Sequence, residues 1–313
     1  MTKPVFKIAA LAAVGVLALA ACGTADAGSG TNSGGSAKAD LSIGLSVSTL
    51  NNPFFVSLRD GAQAAADEAG VKLTVTDARN DATQQADQVL NFQTQQLDAV
   101  IINAVDSDAA GPIVAPLITA KTPVVAVDRA VNGAEVSSMV ASDNVEGGRL
   151  AADALAKAIG EKGQVIVLQG VAGTSASRER GEGFATGIAA YPNIEVVATQ
   201  PADFDRAKGL DVATNLLQSK PDAVGIFAEN DEMALGAVQA LGSRAGTEVF
   251  VVGFDGTADG LTAIKAGTMY ASIAQQPEEL GKSAVLTALA LINGESTEKM
   301  ISVPVVVVTK DTL

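Results

Sequence analysis

Two aspartates (Asp128, Asp255), two arginines (Arg129, Arg180), four amides (Asn52, Asn103, Asn230, Gln275) and three phenylalanines (Phe54, Phe55, Phe254) fall at or just past the ends of short apolar runs. A carboxylate only accepts hydrogen bonds, a guanidinium only donates them, and an amide does both. That mixture suits a neutral polyhydroxylated molecule, because every hydroxyl must give and receive hydrogen bonds once it is buried. Phenylalanine adds a flat apolar surface for the C–H face of a sugar ring, and a site of this kind discriminates against epimers that leave a buried polar group unpaired. Plainer readings stand beside this one. Phe54 and Phe55 follow Pro53, an ordinary first-turn proline, and would serve as helix-start core residues. Asp128 and Arg129 are neighbours and would serve in a routine ion pair. Asp231 is a weaker member of the carboxylate set: ahead of EMALGAVQA it reads as a helix N-cap, which leaves Asn230 for the cleft. Asp143-Asn144 likewise reads as a loop and cap.

The elements that must position these residues alternate in type. Strand-like runs at 41–47, 71–77, 99–105 and 123–128 alternate with helix-like segments at 54–69, 81–96 and 109–120. A second series repeats the rhythm, with strands at 164–170, 194–199, 223–229 and 248–255 and helices at 147–159, 178–190, 205–219, 231–240 and 257–266. Alternation of this kind predicts parallel sheets covered on both faces. A single sheet would be very large for so many units, so two lobes are expected. Ligands of open α/β sheets sit beyond the carboxyl ends of the strands, which is where the residues above lie.

The first forty residues carry a different message. Lys3 and Lys7 precede an apolar stretch over 8–21, which is too short to span a bilayer as an ordinary helix and reads as a secretory leader, residues 1–21. Cys22, the only cysteine, stands directly after Ala20-Ala21, so no intramolecular disulfide is possible. Its setting resembles the lipobox of bacterial lipoproteins, which implies acylation of Cys22 and stable anchoring to the cell membrane, since two or more chains are needed for that. Residues 22–40 are almost all small or polar and read as a flexible tether.

Composition removes several classes of function. A formal charge of -14 on an exported chain makes nucleic acid an unsuitable partner, and the absence of histidine takes away the commonest zinc ligand and general base. The run VLQGVAGTSASRERGEG (167–183) has neither the GxGxxG spacing nor the Gly-Lys-Ser/Thr ending of a nucleotide loop. No G-x-S-x-G elbow is present, a Ser-His-Asp triad cannot be assembled, and nothing singles out a carboxylate pair for glycoside hydrolysis. A sugar-responsive transcription regulator would need a basic helix-turn-helix ahead of the sheets, where this chain has its leader. No enzyme activity, metal or cofactor is implied.

The segments STLNNPFFVSLRDGAQAAADEAG (48–70), ASDNVEGG (141–148), LQGVAGTSASRERGEGF (168–184), QPADFDRAKGL (200–210), AENDEMALGA (228–237) and VVGFDGTADG (251–260) closely resemble bacterial D-ribose-binding proteins, the solute receptors of ribose ABC importers. The resemblance spans residues 41–313. It implies ribose contacts at Asn52, Phe54, Phe55, Asn103, Asp128, Arg129, Arg180, Phe204, Asn230, Phe254, Asp255 and Gln275, with Phe54 and Phe55 on one side of the sugar and Phe204 on the other. Phe204 comes from the resemblance alone, since PADFDR reads as a turn before a helix. None of these positions departs from the family's residue type.

The same resemblance implies an α/β, two-lobed periplasmic-binding-protein fold, each lobe a parallel-sheet three-layer sandwich, with a hinge of three crossings near 142–144, 275–276 and 304. Lobe 1 would hold 41–142 plus 276–304, and lobe 2 would hold 143–275 plus 305–313. The implied partners are D-ribose and an ABC permease with its ATPase subunits, for a monomeric receptor whose lobes close on the sugar. A receptor of the same class for another pentose, a hexose or a furanose signal molecule is the alternative.

Overall fold

The computed structural model describes residues 41–313, so the leader over 1–21, Cys22 and the tether to residue 40 lie outside the described residues. The first sheet is built from β1 (Ser42–Val47), β2 (Lys72–Asp77), β3 (Ala99–Ile102), β4 (Val124–Val127), β5 (Ser138–Ser142) and β11 (Met300–Val303). Its strands run in the order β2-β1-β3-β4-β5-β11, and every pairing is parallel. The second sheet comprises β6 (Gly163–Gln169), β7 (Ile194–Pro201), β8 (Ala223–Ala228), β9 (Phe250–Asp255), β10 (Ala271–Ala274) and β12 (Val306–Thr309). It repeats the same order as β7-β6-β8-β9-β10-β12, with only β12 antiparallel.

Helices cover both faces of each sheet. The first is flanked by α1 (Pro53–Ala69) and α9 (Pro277–Ile292) on one face and α2 (Ala82–Thr94) and α3 (Ala110–Thr119) on the other. Strand periodicity decides which face each residue serves. Ile101, Val125 and Val127 join Leu58, Leu280 and Val285 in one core, whereas Val100, Ile102, Val124 and Ala126 join Val89, Phe92 and Leu117 in the other. Strands covered on both faces need apolar residues at successive positions, which is why β3 and β4 read AVII and VVAV and are buried throughout.

The second sheet is sandwiched in the same way, by α6 (Arg206–Ser219), α7 (Asp231–Leu241) and α8 (Ala258–Ala266) on one side and α4 (Asn144–Ala158) and α5 (Ser175–Ile188) on the other. The chain passes between the sheets three times: after Ser142, after Ala274, and between Val303 and Val306. Those crossings require elements that the alternation of runs does not predict. β5 (SMVAS) is too small and polar to read as a strand, and Pro304 interrupts the apolar run that supplies β11 and β12.

A ligand pocket between the two sheets

Six connections end at one small pocket, about 240 Å³ of atom-free space including its mouth, lined by Asn52, Phe54, Phe55, Asp128, Arg129, Ala176, Arg180, Phe204, Asn230 and Asp255. Nine of the twelve residues implied by the resemblance therefore form its wall. The other three stand directly behind it. Asn103 donates from Nδ2 to Asp128 Oδ2 at 3.1 Å, Gln275 donates from Nε2 to Asp255 Oδ1 at 2.7 Å, and the ring of Phe254 lies 3.8 Å under the Arg180 guanidinium.

Local sequence explains how each wall is presented. Asn52 caps α1 by accepting the Phe54 N–H at 2.9 Å, with Pro53 in the first turn. That start fixes Phe54 and Phe55 at the helix mouth, edge to face with centroids 5.2 Å apart. Both rings are buried and belong to the core behind α1, as the plainer reading expects, and both also line the pocket. Asp128 follows β4 at φ 64°, Phe204 sits in the turn after β7 at φ 57°, and Asp255 ends β9 at φ 120°. Such backbone is costly for residues other than glycine, roughly 1–3 kcal/mol each, and concentrates where a side chain must be aimed. Gly170 makes room for the result, because a Cβ there would collide with the Phe204 ring.

Charge in the pocket is balanced. Arg129 Nε lies 3.6 Å from Asp128 Oδ2, and Arg180 Nη1 lies 3.6 Å from Asp255 Oδ1, with all four side chains at most 4% exposed. Burial pushes the Asp128 carboxyl up, against the pull of Arg129, Arg180 and Asn103, and burial lowers Arg129 to about 10 against Asp128. Asp255 is raised well above the usual carboxylate range by burial, opposed by Arg180 and reinforced by the nearby Asp231. With both acids ionised, two carboxylates facing two guanidinium groups leave no net charge, which favours a neutral polar ligand over an anion. Of the six buried side-chain atoms without a hydrogen-bond partner among the described residues, Arg129 Nε belongs to a residue of the pocket wall, an arrangement that invites an acceptor from a ligand.

Rings and guanidinium groups alternate across the cleft. Arg129 lies 5.1 Å from the Phe55 centroid and 5.6 Å from that of Phe204, and Arg180 lies 5.7 Å from Phe204 on the other side. Direct bonds also join the two sides. Ser107 after β3 donates its N–H to Gly173 O at 3.1 Å, its Oγ accepts the Ser175 N–H at 3.0 Å, and Ser175 Oγ accepts the Ala130 N–H at 2.8 Å. This clasp was not legible in the sequence, where Ser107 and Ser175 look like ordinary loop residues.

One expectation is corrected. The cap of α7 is Asn230, whose Oδ1 accepts the Met233 N–H at 2.9 Å while its Nδ2 donates to Phe204 O at 3.2 Å. Asp231 is instead a fully buried staple, accepting from Thr257 N and Oγ1 at 2.8 and 3.0 Å and from Ser272 Oγ at 2.7 Å. It ties the loop after Asp255 to α7, and burial raises its carboxyl to about 6 against those bonds. Asn230 wins the cap because its extended backbone at φ -154° places Oδ1 over the first turn, whereas Asp231 is already helical. Glu229, which sequence reasoning passed over, is buried one residue earlier. Its Oε2 accepts from Gly170 N at 2.7 Å and from Ser177 Oγ, and its backbone carbonyl accepts from Arg180 Nη1 at 2.7 Å.

Two parallel-dominated sheets of matching order, three crossings and a polar pocket at the facing strand ends define a two-lobed solute-binding architecture. The chain belongs to the periplasmic binding protein family, whose domain model matches residues 43–296. The ribose import binding protein RbsB of Haemophilus influenzae is 48% identical over 275 residues, covering 88% of this chain and 94% of that protein. The ribose import binding protein RbsB of Bacillus subtilis is 46% identical, covering 88% of each. Among solved structures, an ABC transporter periplasmic solute binding protein from Actinobacillus succinogenes with bound D-allose superposes with a TM-score of 0.82 at 34% identity, covering 87% of this chain and 98% of that one.

Proposed function

We propose that this protein is an extracytoplasmic receptor that closes around D-ribose and delivers it to the permease and ATPase subunits of an ABC importer. The observation that carries the reading is the neutral pocket itself, in which two buried aspartate–arginine pairs and phenylalanines from both sheets converge. Similarity at 46–48% identity to ribose import binding proteins supports the choice of sugar. All twelve residues, Asn52, Phe54, Phe55, Asn103, Asp128, Arg129, Arg180, Phe204, Asn230, Phe254, Asp255 and Gln275, serve the sugar, nine at its surface and Asn103, Phe254 and Gln275 from behind.

Residues 41–142 plus 276–304 and residues 143–275 plus 305–313 move as two lobes about the crossings. All the lining residues except Phe204 are buried, so the sugar enters an open form. Its contacts with both lobes then shift the population to the closed one, which the permease recognises. The receptor works as a monomer. After removal of residues 1–21, acylated Cys22 holds it at the cell membrane through the tether over 22–40; Cys22→Ser is expected to release it from membranes, and retention of that variant would remove the anchor from the account.

Titration calorimetry of residues 40–313, unfolded and refolded to strip carried-over sugar, tests the ligand against ribose, xylose, arabinose, allose, galactose and glucose. A one-to-one isotherm tightest for ribose is expected. A tighter isotherm for allose or another sugar would keep the receptor and replace its cargo.

A further inference from the structure

Arg180 is held by an unusual partner. Its Nε donates to Asn144 Oδ1 at 2.9 Å, and its Nη1 donates to Glu229 O at 2.7 Å. Two bonds to different nitrogens fix both the position and the plane of a guanidinium. The same plane lies 3.8 Å over the Phe254 ring.

Asn144 is not needed where it sits for helix formation. Asp143 already caps α4, accepting the Glu146 N–H at 3.0 Å, and alanine is a better helix former than asparagine. Yet the Asn144 side chain is buried, 2% exposed, and both of its polar ends are used, Oδ1 by Arg180 and Nδ2 by Glu179 Oε2 at 3.1 Å. It also stands at a crossing between the sheets: the chain leaves β5 at Ser142, and Asp143 N donates to Val303 O at 3.3 Å on the neighbouring crossing. The arginine that faces the ligand is thus aimed by a residue at the hinge.

We propose that Asn144 is a positioning residue for sugar binding, which sets the guanidinium of Arg180 so that its remaining donors meet the ligand. The inference rests on the receptor reading above. An acceptor on Nε stops the group from rotating about its own axis, the carbonyl of Glu229 anchors Nη1, and the second arm is the donor left for the ligand. Glu179 in turn orients the amide, since its carboxylate accepts only from Nδ2 and so leaves Oδ1 for the arginine.

The test is a double-mutant cycle on ribose affinity with Asn144→Ala and Arg180→Lys, because lysine keeps the charge but has no Nε–H to meet Asn144. Asn144→Ala is expected to weaken ribose about tenfold in the Arg180 background and less than twofold in the Arg180→Lys background, with the melting temperature of the sugar-free protein little changed. Asn144→Asp combined with Glu179→Gln, which restores an acceptor for Arg180 Nε and keeps a donor–acceptor contact where two carboxylates would otherwise face each other, should recover most of the loss and is the variant to read if alanine is poorly folded. Equal losses in both backgrounds, or wild-type affinity in Asn144→Ala, overturn the positioning role. Failure of the unmutated protein to bind ribose overturns the receptor reading instead.

Discussion

The two sides of the pocket solve the same problem by different routes. Each offers an aspartate–arginine pair at 3.6 Å and a phenylalanine against the guanidinium. On the first side the pair is Asp128-Arg129, adjacent in sequence after one strand, and Arg129 is held by the carbonyls of Ala104 and Val105 at 3.0 and 3.4 Å. On the second side Arg180 comes from α5 and Asp255 from the end of β9, and the arginine is held from the hinge by Asn144 and from the next strand end by Glu229. A pair made within one loop is rigid in itself. A pair assembled from distant elements depends on the whole lobe, and its charges have fewer substitutes.

Removing each arginine breaks the comparison most severely. Arg180→Met leaves Asp255 beside Asp231, with Arg129 as the remaining guanidinium but beyond ion-pair distance, whereas Arg129→Met leaves Asp128 with Arg180 and the hydrogen bond from Asn103. Both variants are expected to lose ribose affinity about a thousandfold, in keeping with roughly 3–5 kcal/mol for breaking a buried charge pair. Arg180→Met should lower the stability of the sugar-free protein clearly more than Arg129→Met in denaturant titrations. Equal destabilisation would erase the distinction between the two sides.

The phenylalanines sharpen the comparison next. Phe54 is 4% exposed and shares a core with Leu58 and Leu280, while Phe204 is only partly buried in a strained turn. Phe54→Ala should therefore cost about 3–5 kcal/mol of stability. Phe204→Ala should leave the melting temperature nearly unchanged and weaken ribose about thirtyfold or more, as for a central aromatic anchor. The two substitutions separate if melting curves and calorimetry are recorded side by side.

A smaller effect concerns Glu229, behind the second side only. Burial raises its carboxyl from 4.5 to about 7, with the Gly170 N–H and the Ser177 hydroxyl opposing. The folded protein thus keeps a proton that the unfolded chain has already lost, so the stability this group contributes is whole below about pH 4.5 and disappears as pH rises through about 7. Glu229→Gln is expected to melt like the unmutated protein near pH 4.5 and higher at pH 8, by an amount on the order of 3 kcal/mol at most. Parallel pH profiles for the two proteins would show that this carboxyl does not couple to folding.

The clasp provides the smallest change. Ser107→Ala removes one of its bonds, that from Ser175 N, and should raise the ribose dissociation constant a few-fold by favouring the open form, about 0.5–1.5 kcal/mol. An unchanged constant would mean that closure does not depend on it.

These contrasts also explain what could be read from the chain beforehand. Central strands such as AVII and VVAV declare themselves because burial on both faces demands unbroken apolar runs, and ligand residues at strand ends follow from the architecture. Asp128-Arg129 was visible as a unit for that reason. The partnership of Arg180 with Asp255 was not, because it is made by strand order rather than by spacing. Phe204 looks like part of a turn and is one; its ring reaches the cleft through a positive φ that no pattern announces. That Asn230, besides lining the pocket, caps α7 in place of Asp231 turned on a single residue's backbone, which is finer than capping preferences resolve.

The most direct test of the central claim is a crystal structure with D-ribose. The account predicts one sugar ring between Phe55 and Phe204, with hydroxyls within hydrogen-bond distance of Asp128, Arg129, Arg180 and Asp255 and with Arg129 Nε partnered. A sugar bound elsewhere, or held by one lobe while the other stays open, would contradict it.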